Sequence, residues 1–134
     1  MRILLKEPGK PVEIKETSER YISDAGRLYI PNGDIRHFIL YGSVCFLFDD
    51  EACFKDLERN FILFNPRLII PVQEIRGTVV GCKLKPINPF EEIWDYEVDE
   101  LSDEDIENVS EIFSIEDEEK LEEYIKKIMK EMNK

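Results

Sequence analysis

The chain has 134 residues, of which 43% are hydrophobic and 36% charged, with a formal net charge of −12. That length and apolar content predict one domain with a core of its own, stable without metals or disulfides. The charge excludes a generic phosphate-coating nucleic-acid binder and disfavours docking on anionic membranes. No apolar run approaches the roughly 18 residues of a membrane-spanning helix. The opening MRILLKEPGK lacks signal-peptide architecture, so a cytoplasmic location is expected.

Charge divides the chain. Residues 1–90 carry 13 basic and 12 acidic side chains, whereas residues 91–134 carry 5 and 18, giving nets of +1 and −13. The acidity is local, and such asymmetry points to an interaction role. In the near-neutral part, Arg2–Lys6 and the alternating Val12–Lys15 flank a Pro-Gly turn and predict a hairpin. AGRLYIPNGD predicts a short strand closed by the Asn32-Gly33 turn. The apolar stretch Phe38–Phe48 is interrupted at Gly42-Ser43 and is either one bent strand or two. DDEA reads as an exposed turn, CFKDLERNFILF as a strand or short helix followed by a strand, and Asn65-Pro66 as its break. The β-branched run Thr78–Leu84 predicts a strand.

The acidic part changes period. Ser102 is placed as an N-cap with Asp105 three residues on, and Leu101 and Ile106 fall at the two staple positions. Ile106, Val109, Ile112 and Phe113 follow at helical spacing. A second helix is expected to start in the same way at Ser114, with Leu121, Tyr124, Ile125, Ile128, Met129 and Met132 as its apolar face. Its early acids and late lysines suit the helix dipole. The sum is a single α+β domain over 1–134, an antiparallel or mixed sheet in the first two-thirds with two C-terminal helices packed on it.

Enzyme signatures are absent: the sequence has no phosphate loop, dinucleotide fingerprint, HExxH or GxSxG. Cys45, Cys53 and Cys82 form no CxxC pair and read as small hydrophobes rather than a disulfide framework. His37 is the lone histidine, too little for a zinc site of ordinary spacing, and nothing local activates a thiol for Cys–His chemistry. Asp49, Asp50 and Glu51 offer hard oxygens without the EF-hand spacing. No catalytic residue, cofactor or metal is therefore assigned.

Three short motifs, Glu7-Pro8-Gly9-Lys10, Ile75-Arg76-Gly77-Thr78 followed by Gly81, and Leu101-Ser102-Asp103-Glu104, resemble the domain-of-unknown-function family 3846 of phages and mobile elements. Leu57-Glu58-Arg59-Asn60 is a further, weaker match. The resemblance implies a mobile-element protein acting inside a bacterial host and brings no known activity with it.

Two constellations remain as candidate sites. In the acidic tract, Glu91, Glu92, Asp95, Glu97, Asp99, Glu100, Asp103, Glu104 and Asp105 surround Trp94 and Tyr96. Such a surface can imitate a nucleic-acid backbone, with the aromatics as anchors in a basic channel. The expected partner is then a host nucleic-acid-handling protein, a CRISPR effector or restriction enzyme, and the chain a non-enzymatic counter-defence inhibitor that is a monomer or homodimer. The alternative is that Ile93, Tyr96, Val98 and Leu101 pack inward and the acids simply stay solvated. The second constellation is Arg36, His37, Arg59, Asn60 and Arg76, which would hold a nucleotide-type anion if the sheet gathers them. A structural or assembly role, with the terminal helix dimerising, is the third possibility.

Overall fold

The computed structural model describes residues 1–65, 70–87, 90 and 95–132. Strands β1 (Arg2–Lys6) and β2 (Glu13–Glu16) form the expected hairpin, with Arg2 opposite Glu16 and Leu5 opposite Glu13. The long apolar stretch is two strands, β3 (Ile35–Tyr41) and β4 (Val44–Asp49), folded back on each other at Gly42-Ser43. Gly42 has φ 53°, which a side chain adopts only rarely. Strands β5 (Arg59–Asn65) and β6 (Ile70–Arg76) pair separately as a two-stranded sheet. The expected strand at 78–84 is β7 (Val79–Leu84), which pairs with β1, β4 and the short β8 (Val98–Asp99). The main sheet has the order β2-β1-β7-β4-β3, and its pairings are antiparallel.

No strand forms in AGRLYIPNGD: residues 25–27 end a helix, α1 (Ile22–Arg27), and the remainder is the loop to Asp34. Ile22, Ala25, Gly26 and Ile30 recur at helical rather than alternate spacing, and all four are buried. Gly26 allows the close approach: a Cβ there would stand 3.1 Å from Leu47 and 3.2 Å from Ile35. Helix α1 covers one face of the main sheet, on Ile3, Leu5, Cys45, Leu47, Val80 and Cys82.

The other face carries Leu4, Val44, Phe46 and Val79, and is covered by Phe61, Leu63 and Ile75 of β5–β6 together with helix α2 (Asp103–Phe113). The Ser102–Asp105 capping box forms in both directions, and Leu101 and Ile106 join this cluster as expected. Phe113 and Val109 seat on the bare backbone of Gly81, whose Cβ would lie 3.1–3.3 Å from them. Phe113 tilts over Phe61 at 5.0 Å between ring centroids.

The second helix, α3, runs from Glu118 to Met132 rather than from Ser114. Ser114 caps the end of α2, its hydroxyl donating to the Ser110 carbonyl at 2.6 Å. Ile115 then dips into a third cluster with Ile62 and Phe64, and the Ile62 amide donates to its carbonyl at 2.7 Å. Asp117 takes over the cap, its carboxylate accepting from the Lys120 amide at 2.9 Å. Strand β5 is thus buried on both sides: Phe61 and Leu63 face the main sheet, while Ile62 and Phe64 meet Leu121, Tyr124, Ile125 and Ile128 of α3. Met129 and Met132, expected on the packed face, are exposed. No helix among the described residues is long and apolar enough to cross a membrane.

Cys45 and Cys82 face each other across β4 and β7 with sulfurs 3.6 Å apart, both fully buried. The contact with Cys45 and burial push the Cys82 thiol well above the ordinary thiol range. In a Cys53→Ser variant, neither remaining thiol is expected to react with an aromatic disulfide reagent until the protein is unfolded. Rapid labelling of the native variant would contradict this packing. Phe113→Ala is expected to lower unfolding free energy by about 3–5 kcal/mol. Met129→Ala should change it by no more than about 0.5 kcal/mol in denaturant melts.

Candidate functional site

The acidic part of the chain does two jobs that its composition does not separate. The first is internal. Tyr96, Val98 and Leu101 turn inward, Val98 and Leu101 being buried and Tyr96 packing on the α1 side of the sheet. Tyr96 also meets His37 edge-on, with ring centroids 5.0 Å apart. Tyr96 is thus half-buried, with part of its ring committed to the core. Glu91, Glu92 and Trp94 lie outside the described residues.

Most of the described acids in the tract are already engaged. Asp95 accepts from the Ser23 hydroxyl and from the Tyr96 amide. Glu97 pairs with Arg20, and that guanidinium holds its carboxyl below the usual range. Arg2 reaches Glu100 at 2.7 Å, Asp103 at 2.7 Å and the Leu101 carbonyl at 2.7 Å, riveting the first strand to the start of α2. The same arginine lowers the Glu100 carboxyl. Asp99 accepts from the Glu100 amide at 2.8 Å.

Asp105 closes the capping box and accepts from the Tyr41 hydroxyl at 3.0 Å. Burial would raise the Asp105 carboxyl, but its bonds to Ser102 and Tyr41 outweigh this and it stays lowered. Tyr41 is pushed up to about 12 by burial and by this acidic neighbour, so its hydroxyl remains a donor. Of the described acids in the tract, Glu104 alone has neither an ion pair nor a hydrogen bond among the described residues.

The second job belongs to the helices. On α2, Glu104 and Glu107 face solvent, and on α3 so do Glu119, Glu122 and Glu123. None of the five makes an ion pair among the described residues. Of the α3 lysines, Lys120 pairs with Glu116 and Lys127 with Glu111, while Lys126 and Lys130 are exposed on the same helix. Acids three and four residues apart on a helix stand about 5–6 Å from each other. The solvent faces of α2 and α3 therefore present carboxylates that make no ion pair among the described residues, which sequence periodicity alone would have marked once the helix faces were assigned.

The arginine constellation comes together only in part. Arg59 and Arg76 are register partners across β5 and β6 and share Glu74. Arg59 also forks onto Glu118 at 2.7 and 3.3 Å, which raises its already high pKa, and Arg76 donates to the Leu57 carbonyl. Asn60 points the other way. It is buried, and its amide nitrogen donates to the Lys6 carbonyl at 2.8 Å and the Gly77 carbonyl at 2.7 Å. Arg36 and His37 sit on β3 of the other sheet, Arg36 pairing with Asp34 and, more loosely, Asp50.

The DDE turn also separates. Asp49 ends β4 and is buried, not exposed. Its carboxylate accepts from the Asp34 amide at 3.2 Å, the Glu51 amide at 3.0 Å and the Lys55 ammonium. Gly33, at φ 113°, leaves the room for it, since a Cβ there would stand 2.3 Å from the carboxylate. Burial pushes the Asp49 carboxyl up, but Lys55 and the two amides outweigh that and lower it.

A lowered native pKa makes the ionised form stabilising. The contribution is whole above the unfolded carboxylate pKa near about 3.9, and is lost as pH falls through the native value. Asp49→Asn is therefore expected to be less stable than the parent at pH 7, with the gap narrowing under acid, as read by denaturant melts at pH 7 and pH 3. A gap that stays constant with pH would assign Asp49 a purely steric role. No family model, curated protein or solved structure matches the chain, so a function has this geometry to stand on.

Proposed function

We propose that the chain is a non-enzymatic binding protein that covers a basic, nucleic-acid-handling surface on a host protein, in the manner of an anti-CRISPR or anti-restriction inhibitor. One observation carries this reading: the exposed, unpaired carboxylates of Glu104, Glu107, Glu119, Glu122 and Glu123 on the outer helical layer. The helix dipole favours Glu104 and Glu119 in the first turns of α2 and α3, but it gives no such reason for Glu107, Glu122 and Glu123, and like charges at such spacing cost about 0.2–0.5 kcal/mol per pair. A partner lined with Lys and Arg does give one, because opposed potentials steer encounter and fix register. The Debye length of about 8 Å at physiological salt confines the effect to close approach. The resemblance to a phage and mobile-element family fits the same reading.

This moves the mimicking surface. The tract at 95–103 supports the fold through Arg20, Arg2 and Ser23, and the solvent faces of α2 and α3 carry the charge available to a partner.

The test uses the full chain immobilised against lysate of a natural host, at about 50 mM and about 200 mM salt. The reading expects capture of a nucleic-acid-handling protein at low salt, its release at high salt, and its displacement by added duplex DNA. Changing all five glutamates to Gln should cut retention at least tenfold while leaving thermal stability equal or higher. Retention unaffected by the five changes would refute the reading.

A further inference from the structure

A second feature, away from the helical faces, has no part in that reading. Four turns meet at one end of the molecule around a cleft of about 720 Å³. They are the β1–β2 turn (Glu7, Pro8, Lys10), the loop after α1 (Tyr29–Asn32), the β4–β5 connection (Asp49, Lys55–Glu58) and the β6–β7 turn (Gly77, Thr78). The volume falls within the range of small-molecule sites, about 300–1,000 Å³. Three of the motifs singled out in the sequence, EPGK, RGT and the start of LERN, converge here.

The rim is fixed by buried polar groups. Asn60 ties the end of β1 to Gly77, the Gly77 amide donates to the Glu58 carbonyl at 2.9 Å, and Asp49 gathers the Asp34 and Glu51 amides with Lys55. Gly9, Gly33 and Gly77 take positive φ values, and a Cβ at Gly77 would press on Leu57 at 2.9 Å. The opening is thus preorganised, and its loops do not have to be ordered by whatever enters.

Its lining selects the charge of the occupant. Four carboxylates (Glu7, Asp49, Asp56, Glu58) face two ammoniums, and both ammoniums are already paired, Lys10 with Glu7 and Lys55 with Asp49. Asp56 and Glu58 are exposed and make no ion pair among the described residues. An anion would meet a net charge of −2, whereas a cation would meet two open carboxylates. Pro8, Tyr29, Ile30, Pro31 and Leu57 add apolar and aromatic wall, which suits an aliphatic stem and, at Tyr29, a cation on an aromatic ring.

We infer that the four-turn cleft binds an organic cation, an alkylammonium or alkylguanidinium group, with Asp56 and Glu58 as its counter-charges and Leu57, Tyr29 and the prolines holding its stem. The same chemistry comes as a free amine or as the Lys or Arg side chain of a protein.

The experiment is titration calorimetry on the full chain with putrescine, agmatine, Nα-acetyl-lysine methylamide and Nα-acetyl-arginine methylamide, and with glutarate as an anionic control. Saturable binding of at least one cation is expected, with none for glutarate. The Asp56→Asn/Glu58→Gln double variant, both positions exposed, should weaken binding at least tenfold. Glu119→Gln/Glu122→Gln should leave it within twofold, which separates this site from the helical rows. Binding of the free amines alone assigns a small-molecule occupant, and binding of the blocked amino acids as well assigns a side chain of a partner. No saturable cation binding, or equal losses from both sets of variants, would overturn the inference.

Discussion

Strand β7 is buried on both faces, and that single condition shapes the molecule. Val79, Val80, Cys82 and Leu84 leave the sheet apolar above and below, so the chain must supply two covers. One is small: α1, brought close by Gly26. The other is composite, made of β5–β6 and α2, and it settles on the sheet where Gly81 lacks a side chain and Phe113 fills the gap. Because β5 lies within that second cover, its outer residues Ile62 and Phe64 need a cover in turn, and α3 provides it. The layers follow from one another in that order.

The same hierarchy sorts the charge. Acids near the sheet edge meet bases from distant parts of the chain: Glu97 with Arg20, Glu100 and Asp103 with Arg2, Glu118 with Arg59. Exposed pairs of this kind contribute little energy each, but they bring together segments up to 101 residues apart and so help fix how the covers sit. On the solvent faces of α2 and α3, Glu104, Glu107, Glu119, Glu122 and Glu123 make no ion pair among the described residues, and there the excess of negative charge accumulates. Net charge alone would have treated both populations as one.

What the sequence revealed was chemistry with a short reach. The Ser102–Asp105 capping box, the Leu101–Ile106 staple, the EPGK hairpin and the β7 run are each decided within a few residues, and each formed as expected. The stretch around Gly42-Ser43 stayed open because a bent strand and a hairpin share its pattern; the β4–β7 pairing chooses the hairpin. The stretch AGRLYIPNGD reads as a strand because the Asn32-Gly33 turn closes it, yet its first residues end helix α1 and the rest is loop, as the helical spacing of Ile22, Ala25, Gly26 and Ile30 requires. Ser114 had every mark of a helix start, but Ile115 must reach Ile62 and Phe64 before the next helix can begin. Asp49 looked like one of three exposed acids; its burial depends on a glycine sixteen residues earlier and a lysine six residues later. Likewise Arg59 meets Arg76 only because β5 pairs with β6, and Asn60 turns inward because strand neighbours point to opposite sides.

The strand order also bears on how the chain acquires its shape during synthesis. Hairpins β1–β2 and β3–β4 close locally, on a scale of about 1–10 μs. Neither can join the other until β7, the strand between them, has been made, because β1 and β4 meet only across it. Until then Leu4, Phe46 and Leu47 are paired on one side only, an interval in which the open apolar strand edges are vulnerable to foreign pairing. The acidic segment emerges after β7, and it brings the remaining cover for that surface, α2 and α3, together with a dense negative charge.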